Sequence, residues 1–345
     1  MKQFYFFILA TMIAVNAFGY EKQTWDYETG AKGSGSHDYH LLDIYYPETG
    51  EGSYPVFIWL SSGIGVGGSA TKESAYSMAS VLIDTVLHRG YAVAVPSSRS
   101  VGHDNQPLPL HDIKAVVRFL RNNGEGMSEC PQNIDTSFIA VGGFSTGGLI
   151  ATMMGFSRNW RDEPWYEGTV GNFTDKSSSV DAVADWSGIH TAGTNLNNVA
   201  YLYKNIAGCS GSEDYSYQKF LYRQFTSKSD HDPAPEVMFR GSQDGIVLQE
   251  DTETLYNWLH YVLGDDSEYY LMNGVGHDLI RSSSKYYYYG YMVNFLDRIR
   301  AKKATSDIEQ ISDRQVFGVQ KITKDAQILI LRGERTYTLP GQEVK

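Results

Sequence analysis

The chain has 345 residues, 42% hydrophobic and 13% aromatic, with 40 acidic against 29 basic side chains and a formal net charge of −11. That composition excludes a disordered chain and provides for one domain of roughly 250–300 residues with an additional piece. The acidic balance excludes nucleic acid as the main partner, because phosphate recognition needs a basic surface, and it favours a neutral substrate.

The N-terminus, "MKQFYFFILATMIAVNAFGYEK", carries a single positive charge at Lys2, an apolar run from Phe4 to Val15, and small residues at Ala17 and Gly19. This is the pattern of a signal peptide over residues 1–19, cleaved after Gly19. Its apolar run is shorter than the ~20 residues that span a bilayer, so no membrane span is expected after cleavage. The pattern implies a secreted or cell-surface protein.

From Tyr39 onward, short β-rich runs alternate with helical ones. "HLLDIYY" and "YPVFIWL", separated by the turn-forming "ETGEGS", read as a hairpin. "YAVAVP", "FIAVGG", "VDAVADWS", "EVMFRG" and "EYYLMNG" read as buried strands, with helices expected over Lys72–His88, His111–Asn122, Gly147–Phe156, Gln249–Leu263 and Ser282–Arg300. Parallel neighbours need a crossover, usually a helix, so the alternation predicts an α/β protein with a mostly parallel sheet covered on both faces. Two long polar and aromatic stretches, Ser157–Ser179 and Ile189–Pro235, interrupt the pattern and are expected to form a cap. From Ala304 the composition changes: a polar linker leads into "RQVFGVQKI", "AQILILRG" and "ERTYTLPGQEVK", a small β tail over 304–345.

Cys130 and Cys209 are the only cysteines. They can pair in an oxidising compartment only if the fold brings their Cα atoms within bonding range. Neither a C-x-x-C pattern nor a Cys/His zinc pattern is present. The pairs His103-Asp104, His111-Asp112 and His231-Asp232 lack metal-ligand spacing, so no metal is expected.

The chemistry centres on Gly143-Phe144-Ser145-Thr146-Gly147, a G-x-S-x-G sequence between a buried strand and a helix. That context is a nucleophile elbow, in which glycines permit a sharp turn and lift the serine clear of the sheet; the alternative is a plain glycine-rich connection. A nucleophilic serine needs a base and an acid to orient it, in the chain order Ser, Asp or Glu, His. Asp244 follows one buried strand and His277 the next, on the carboxyl edge that Ser145 occupies. Singly, Asp244 also reads as a helix cap and His277 as an ordinary loop residue. Rival histidines fall in early elements (His40, His88), inside a helix (His260), or away from the end of the last strand (His103, His111, His190, His231). Backbone N–H groups for an oxyanion are expected from Thr146 and from Gly63 and Ile64 in "WLSSGIGVGGS".

Over most of Tyr39–Arg300 the chain resembles the α/β-hydrolase esterases, in particular the bacterial feruloyl and acetylxylan esterase group, related to hormone-sensitive-lipase-like enzymes. "YPVFIWLSSGIGVGGS" is similar to that family's strand and H-G-G-G oxyanion loop, and "GYAVAVPSSRS…LPLHDIKAVVRFLRNN" to its next strand, arginine turn and helix, with Arg99 as the structural arginine. "NIDTSFIAVGGFSTGG", "VDAVADWSG", "GSQDGIV" and "GVGHD" resemble the elbow, the following strand, and the acid and histidine loops. Ser61, Ser62 and Ile64 depart from H-G-G-G, and Thr146 replaces the usual alanine; neither change removes a backbone donor. The C-terminal "ILILRGERTYTLPGQEVK" resembles β tails of secreted plant-fibre-degrading enzymes, where the tail serves export or attachment to the cell surface.

The resemblance implies a secreted, cofactor-independent serine esterase acting on acylated carbohydrate, with acetyl or feruloyl groups on xylan as the expected substrate. Ser145, His277 and Asp244 would be its nucleophile, base and orienting acid. Trp160, Trp165, Tyr166 and Trp186 could supply an aromatic wall for sugar or acyl groups, ordinary packing being the other reading. A peptidase of the same fold and a noncatalytic carbohydrate-binding protein are the alternatives.

Overall fold

The computed structural model describes residues 20–344 except 34–36, 49–51, 63–69, 100–107, 124, 126, 128, 130, 132, 160–163, 191–231, 283–284, 314–318, 325–326, 333–334 and 339–342; for 307–344 and for Trp165 the backbone alone is described. Residues 1–19, Gly63, Ile64, Cys130, Trp160 and Cys209 lie outside the described residues. The chain divides into two compact units, Met1–Leu296 and Asp297–Lys345.

The first unit is built on an eight-stranded sheet of order β1-β2-β4-β3-β5-β6-β7-β8. The strands are β1 (Lys22–Asp26), β2 (Leu41–Tyr45), β3 (Tyr54–Leu60), β4 (Ala92–Pro96), β5 (Ile134–Phe144), β6 (Ala182–Trp186), β7 (Glu236–Gly241) and β8 (Ser267–Met272). From β4 through β8 every neighbouring pair is parallel, whereas β1 and β2 join antiparallel. Every residue of β3, β4, β6 and β7 is buried, as expected of parallel strands covered on both faces.

The expected hairpin does not form. β2 pairs antiparallel with β4, not with β3, because the chain crosses over through α1 (Lys72–His88) and inserts β4 between them. A wholly apolar seven-residue strand such as β3 gains most from a central position paired on both edges, and a hairpin at the sheet margin would have left one edge open. β1, "KQTWD", has a pattern too short and polar to stand out and takes its register from β2.

The remaining α-helices among the described residues of this unit are α2 (Leu108–Asn122), α3 (Thr146–Phe156), the single turn α4 (Pro164–Glu167) and α5 (Gln249–Leu263); α6 (Lys285–Asp313) begins in it. All eleven residues of α3 are buried, which suits a helix enclosed by sheet and neighbours. The expected structural arginine is in place. The Arg99 guanidinium donates to Asp112 Oδ1 through Nε (3.0 Å) and Nη2 (2.6 Å), and its backbone N–H donates to Oδ2 (2.7 Å), which ties the turn after β4 to α2.

The stretch 157–179, expected as a cap, is a brace. Lys114 Nζ on α2 donates to Ser157 O (3.1 Å), Glu167 Oε2 (3.0 Å) and Ser178 Oγ (3.2 Å), and Arg118 donates to Glu167 Oε1 (2.5 Å) and Val170 O (3.0 Å). These anchors begin at the C-terminal end of α3, about 16 Å along the helix from Ser145 at its N-terminus. Most of 189–235 lies outside the described residues.

Residues 304–313, which polarity marks as a linker, continue α6. They contain neither Gly nor Pro, and Ala304, Glu309 and Gln310 are good helix formers, so polarity alone does not break the helix. The second unit then carries an antiparallel meander, β9 (Val319–Lys324), β10 (Gln327–Arg332), β11 (Arg335–Thr338) and β12 (Glu343–Val344), matching the expected β tail.

Candidate active site

Ser145 stands where β5 turns into α3. Its backbone, at φ 58° and ψ −116°, lies in a region that costs a non-glycine residue about 1–3 kcal/mol and persists only where the surroundings enforce it. Two glycines make that enforcement possible. A Cβ on Gly143 would lie 2.4 Å from the Gly147 carbonyl carbon and oxygen, and one on Gly147 would lie 2.4 Å from Ser61 O and 2.6 Å from Leu60 O. The elbow is therefore clamped between its own helix and the end of β3. Ser145 N–H donates to Trp186 O (2.9 Å) and Leu149 N–H to Ser145 O (3.0 Å), fixing both sides of the turn.

The histidine and acid loops converge on this serine. His277 Nε2 lies 3.0 Å from Ser145 Oγ and Nδ1 lies 2.9 Å from Asp244 Oδ2. With its proton on Nδ1, the imidazole donates to the carboxylate and accepts from the serine hydroxyl. Asp244 Oδ1 accepts the backbone N–H groups of Ile246 (2.8 Å) and Val247 (3.0 Å). Burial pushes the Asp244 carboxyl up, but the His277 hydrogen bond and the Val247 amide outweigh it and leave the group below the ordinary aspartate range.

The loops also hold each other. Gln243 N–H donates to Val275 O (2.8 Å), and Gly274 N–H to Ser242 Oγ (2.9 Å). Arg240, buried at the end of β7, donates to the carbonyls of Gly241 (2.7 Å), Asp244 (3.1 Å) and Val247 (2.7 Å). It thus fixes the acid loop through its backbone. Sequence reasoning passed over Arg240; its one signal was a charged residue following the apolar Val237-Met238-Phe239 run of a buried strand.

Thr146 opens α3, so its N–H is among the first-turn amides with no partner inside the helix, and these point toward the space above Ser145. The carbonyls of Leu60 and Ser61 abut Gly147, which brings the start of the glycine-rich loop beside Thr146. A carbonyl attacked by Ser145 would develop its negative charge next to this helix terminus.

Residues 42–259 match the model of the BD-FAE family. The chain belongs to that family. Esterase LipC of Mycobacterium tuberculosis is 24% identical over 229 residues, covering 65% of this chain and 52% of its own; the chain thus spans about half the length of that curated relative. Among solved structures, the bifunctional GH43-CE protein of Bacteroides eggerthii superposes with a TM-score of 0.63 at 23% identity, over 80% of this chain and 38% of its own. A truncated carbohydrate esterase from gut microbiota gives 0.61 at 24% identity, over 80% and 95%, and esterase B of Lactobacillus rhamnosis gives 0.61 at 15%, over 84% and 89%. At these identities the likeness is one of fold, and the fold is that of the α/β-hydrolases.

In this BD-FAE member two of the four aromatics expected at the site, Trp186 and Tyr166, are engaged in packing, and Trp160 lies outside the described residues. Trp186 is fully buried, stacked on Phe239 at 4.1 Å and met edge-on by Tyr289 at 5.3 Å. Its ring is thereby engaged in core packing. Tyr166 sits on α4 with the 157–179 brace, half-buried against the hydrophobic core. Trp165 shares that turn, its side chain not described. Of the residues expected at the site, Ser145, Thr146, Asp244 and His277 are brought together.

Proposed function

We propose that the chain is a secreted serine carboxylic-ester hydrolase that removes acetyl or feruloyl groups from plant cell-wall polysaccharide, xylan or its oligosaccharides. The observation that carries this reading is the continuous hydrogen-bonded relay from Asp244 through His277 to a serine held at positive φ on a helix N-terminus. Family membership and the carbohydrate esterases among the structural neighbours support the ester and carbohydrate parts.

In this mechanism Ser145 Oγ attacks the ester carbonyl as its proton passes to His277 Nε2, and Asp244 stabilises the imidazolium. The tetrahedral oxyanion is held by the amides of Thr146, Gly63 and Ile64. Collapse expels the sugar alcohol, which takes the proton from His277. Water, deprotonated by the same imidazole, then cleaves the acyl-enzyme to carboxylic acid and free Ser145. These steps balance without a cofactor. In the same reading residues 1–19 direct export, 20–303 form the catalytic domain, and 304–345 engage export or cell-surface machinery.

The test is release of acetate and ferulate from acetylated and feruloylated xylo-oligosaccharides by the mature protein and by Ser145→Ala, with a dipeptide amide alongside. Acid release by the unmodified protein alone is expected. Cleavage confined to the amide would turn the assignment to a peptidase. Silence on all substrates, with Ser145 unreactive to a fluorophosphonate, would turn it to a noncatalytic binding protein.

A further inference from the structure

Beneath α3 lies a group of buried ionisable side chains that the relay does not use. Asp185, in β6, and His190, just beyond it, are buried, and so is Glu236, the first residue of β7. His190 Nε2 lies 2.8 Å from Asp185 Oδ2, and Oδ1 of the same carboxylate accepts the Gly188 N–H at 2.7 Å. That oxygen presses so closely on the first turn of α3 that a Cβ on Gly148 would lie 2.2 Å from it. Glu236 Oε1 accepts the Thr152 hydroxyl of α3 at 2.7 Å. The underside of the nucleophile's helix therefore rests on Asp185 at its first turn and on Glu236 farther along.

The segment closed by the Asp185–His190 bond supports the elbow directly. It contains Trp186, whose carbonyl accepts the Ser145 N–H at 2.9 Å, and Ser187, itself at φ 48°. Two residues at positive φ, Ser145 and Ser187, thus face each other across one hydrogen-bonded junction. Without an external restraint each would relax toward commoner backbone angles. His190 Nδ1 has no hydrogen-bond partner among the described residues, so Asp185 is the bonded anchor of the ring. A buried carboxylate deprived of that partner would be strongly unfavourable, which holds the bond shut.

We infer that Asp185 and His190 are positioning residues for the nucleophile: their pair fixes the Trp186–His190 turn and the first turn of α3, and thereby keeps Ser145 Oγ within reach of His277. The inference rests on the reading of Ser145 as the nucleophile. Charge in the cluster is compatible with this role. Burial lowers the His190 pKa, but Asp185 more than reverses that and leaves it above the ordinary histidine range. Burial and then the Asp185 charge push Glu236 up to about 8, so at neutral pH it is mostly an uncharged acid beside the Asp185–His190 bond. Asp251, on α5, is the remaining carboxylate acting on His190.

The experiment compares His190→Ala, His190→Gln and Asp185→Asn with the unmodified protein in three measurements: kcat and KM on p-nitrophenyl acetate, the rate of fluorophosphonate labelling of Ser145, and thermal stability. Displacement of reacting groups by about 1 Å costs on the order of 10²-fold, so His190→Ala should lose about that factor in kcat, with labelling slowed in parallel and KM nearly unchanged. His190→Gln, which can still donate to Asp185, should recover part of the loss. If His190→Ala does not fold, Asp185→Asn and His190→Gln carry the same test. Folded variants with lowered stability but unchanged kcat and labelling would overturn the positioning role and leave the nucleophile reading intact. Failure of the unmodified protein to be labelled would instead overturn the nucleophile reading, and the positioning role with it.

Discussion

Replacing Asp244 with asparagine separates the orienting charge from the architecture around it. The backbone of the acid loop is held by Arg240 through three carbonyls and does not depend on the carboxylate charge. If the asparagine oxygen takes the place of Oδ1, the bonds from the Ile246 and Val247 amides survive. The amide nitrogen then faces His277 Nδ1, 2.9 Å away in the unmodified protein, and is satisfied only if Nδ1 carries no proton. That moves the imidazole proton to Nε2, opposite Ser145 Oγ at 3.0 Å, where an acceptor is needed. A base locked in the wrong tautomer costs about 10⁴-fold in kcat, or about 5.5 kcal/mol of transition-state stabilisation. Loss of one charge-assisted hydrogen bond should lower stability by only about 1.5–3 kcal/mol. Steady-state kinetics on p-nitrophenyl acetate, with a urea titration of the same sample, should show a collapsed kcat, a nearly unchanged KM and a folded protein. Asp278 offers no substitute, being turned toward Arg281 at 3.3 Å. Retention of more than about a tenth of the unmodified kcat would refute the assignment of Asp244 as orienting acid.

Gly147→Ala should prevent folding or cost more than about 3 kcal/mol, because its Cβ would lie 2.4 Å from a backbone oxygen that no side-chain rotation can clear; an unchanged urea midpoint would contradict the clamped elbow. Asp112→Ala should destabilise by about 3 kcal/mol, near the lower limit for breaking a buried pair because Arg99 is partly exposed, and a change below about 1 kcal/mol by urea titration would show that the arginine turn is held otherwise. Stability should also fall as pH rises from about 5 to 8. Glu236 has a folded-state pKa near 8, above its unfolded value, so over that window the folded state binds the extra proton and the slope is negative. His190, raised in the folded state, contributes stability fully present below its unfolded pKa and lost as pH rises through the folded one. Urea midpoints measured across this range should decline less steeply in Glu236→Gln, and an equally steep decline would remove Glu236 as the cause.

The residues legible in the sequence are those that backbone geometry marks. Gly143 and Gly147 are required by contacts under 3 Å, and the chain order of Ser145, Asp244 and His277 follows from strands that end on one edge. Two of the five expected helices, Lys72–His88 and Gln249–Leu263, match the structure end to end. Strand adjacency was less legible: an antiparallel β2 beside β3 and one beside β4 bury the same apolar residues, and only the crossover through α1 decides between them. The 157–179 brace was missed because its anchors, Lys114 and Arg118, look like the polar face of an amphipathic helix; their burial depends on Glu167, some fifty residues away.

The displacement of Trp186 from the expected substrate wall follows from the period of a strand. Successive side chains of β6 point to opposite faces of the sheet. Asp185 meets Gly148 and so faces α3, which sends Trp186 to the other face, onto Phe239 and Tyr289. The same step explains why a carboxylate is tolerated inside a buried strand: it lies against the N-terminal turn of a helix, where the helix dipole favours negative charge, and it is paired with His190. One alternation thus assigns the tryptophan to the core and the aspartate to the support of the nucleophile. A substitution series along β6 should show that division, with Trp186→Leu lowering stability through lost aromatic packing and leaving kcat of the folded protein largely intact, and Asp185→Asn lowering kcat. Equal kinetic losses at both positions would mean that β6 acts on Ser145 as a single packed unit, and the separation of faces would carry no functional meaning.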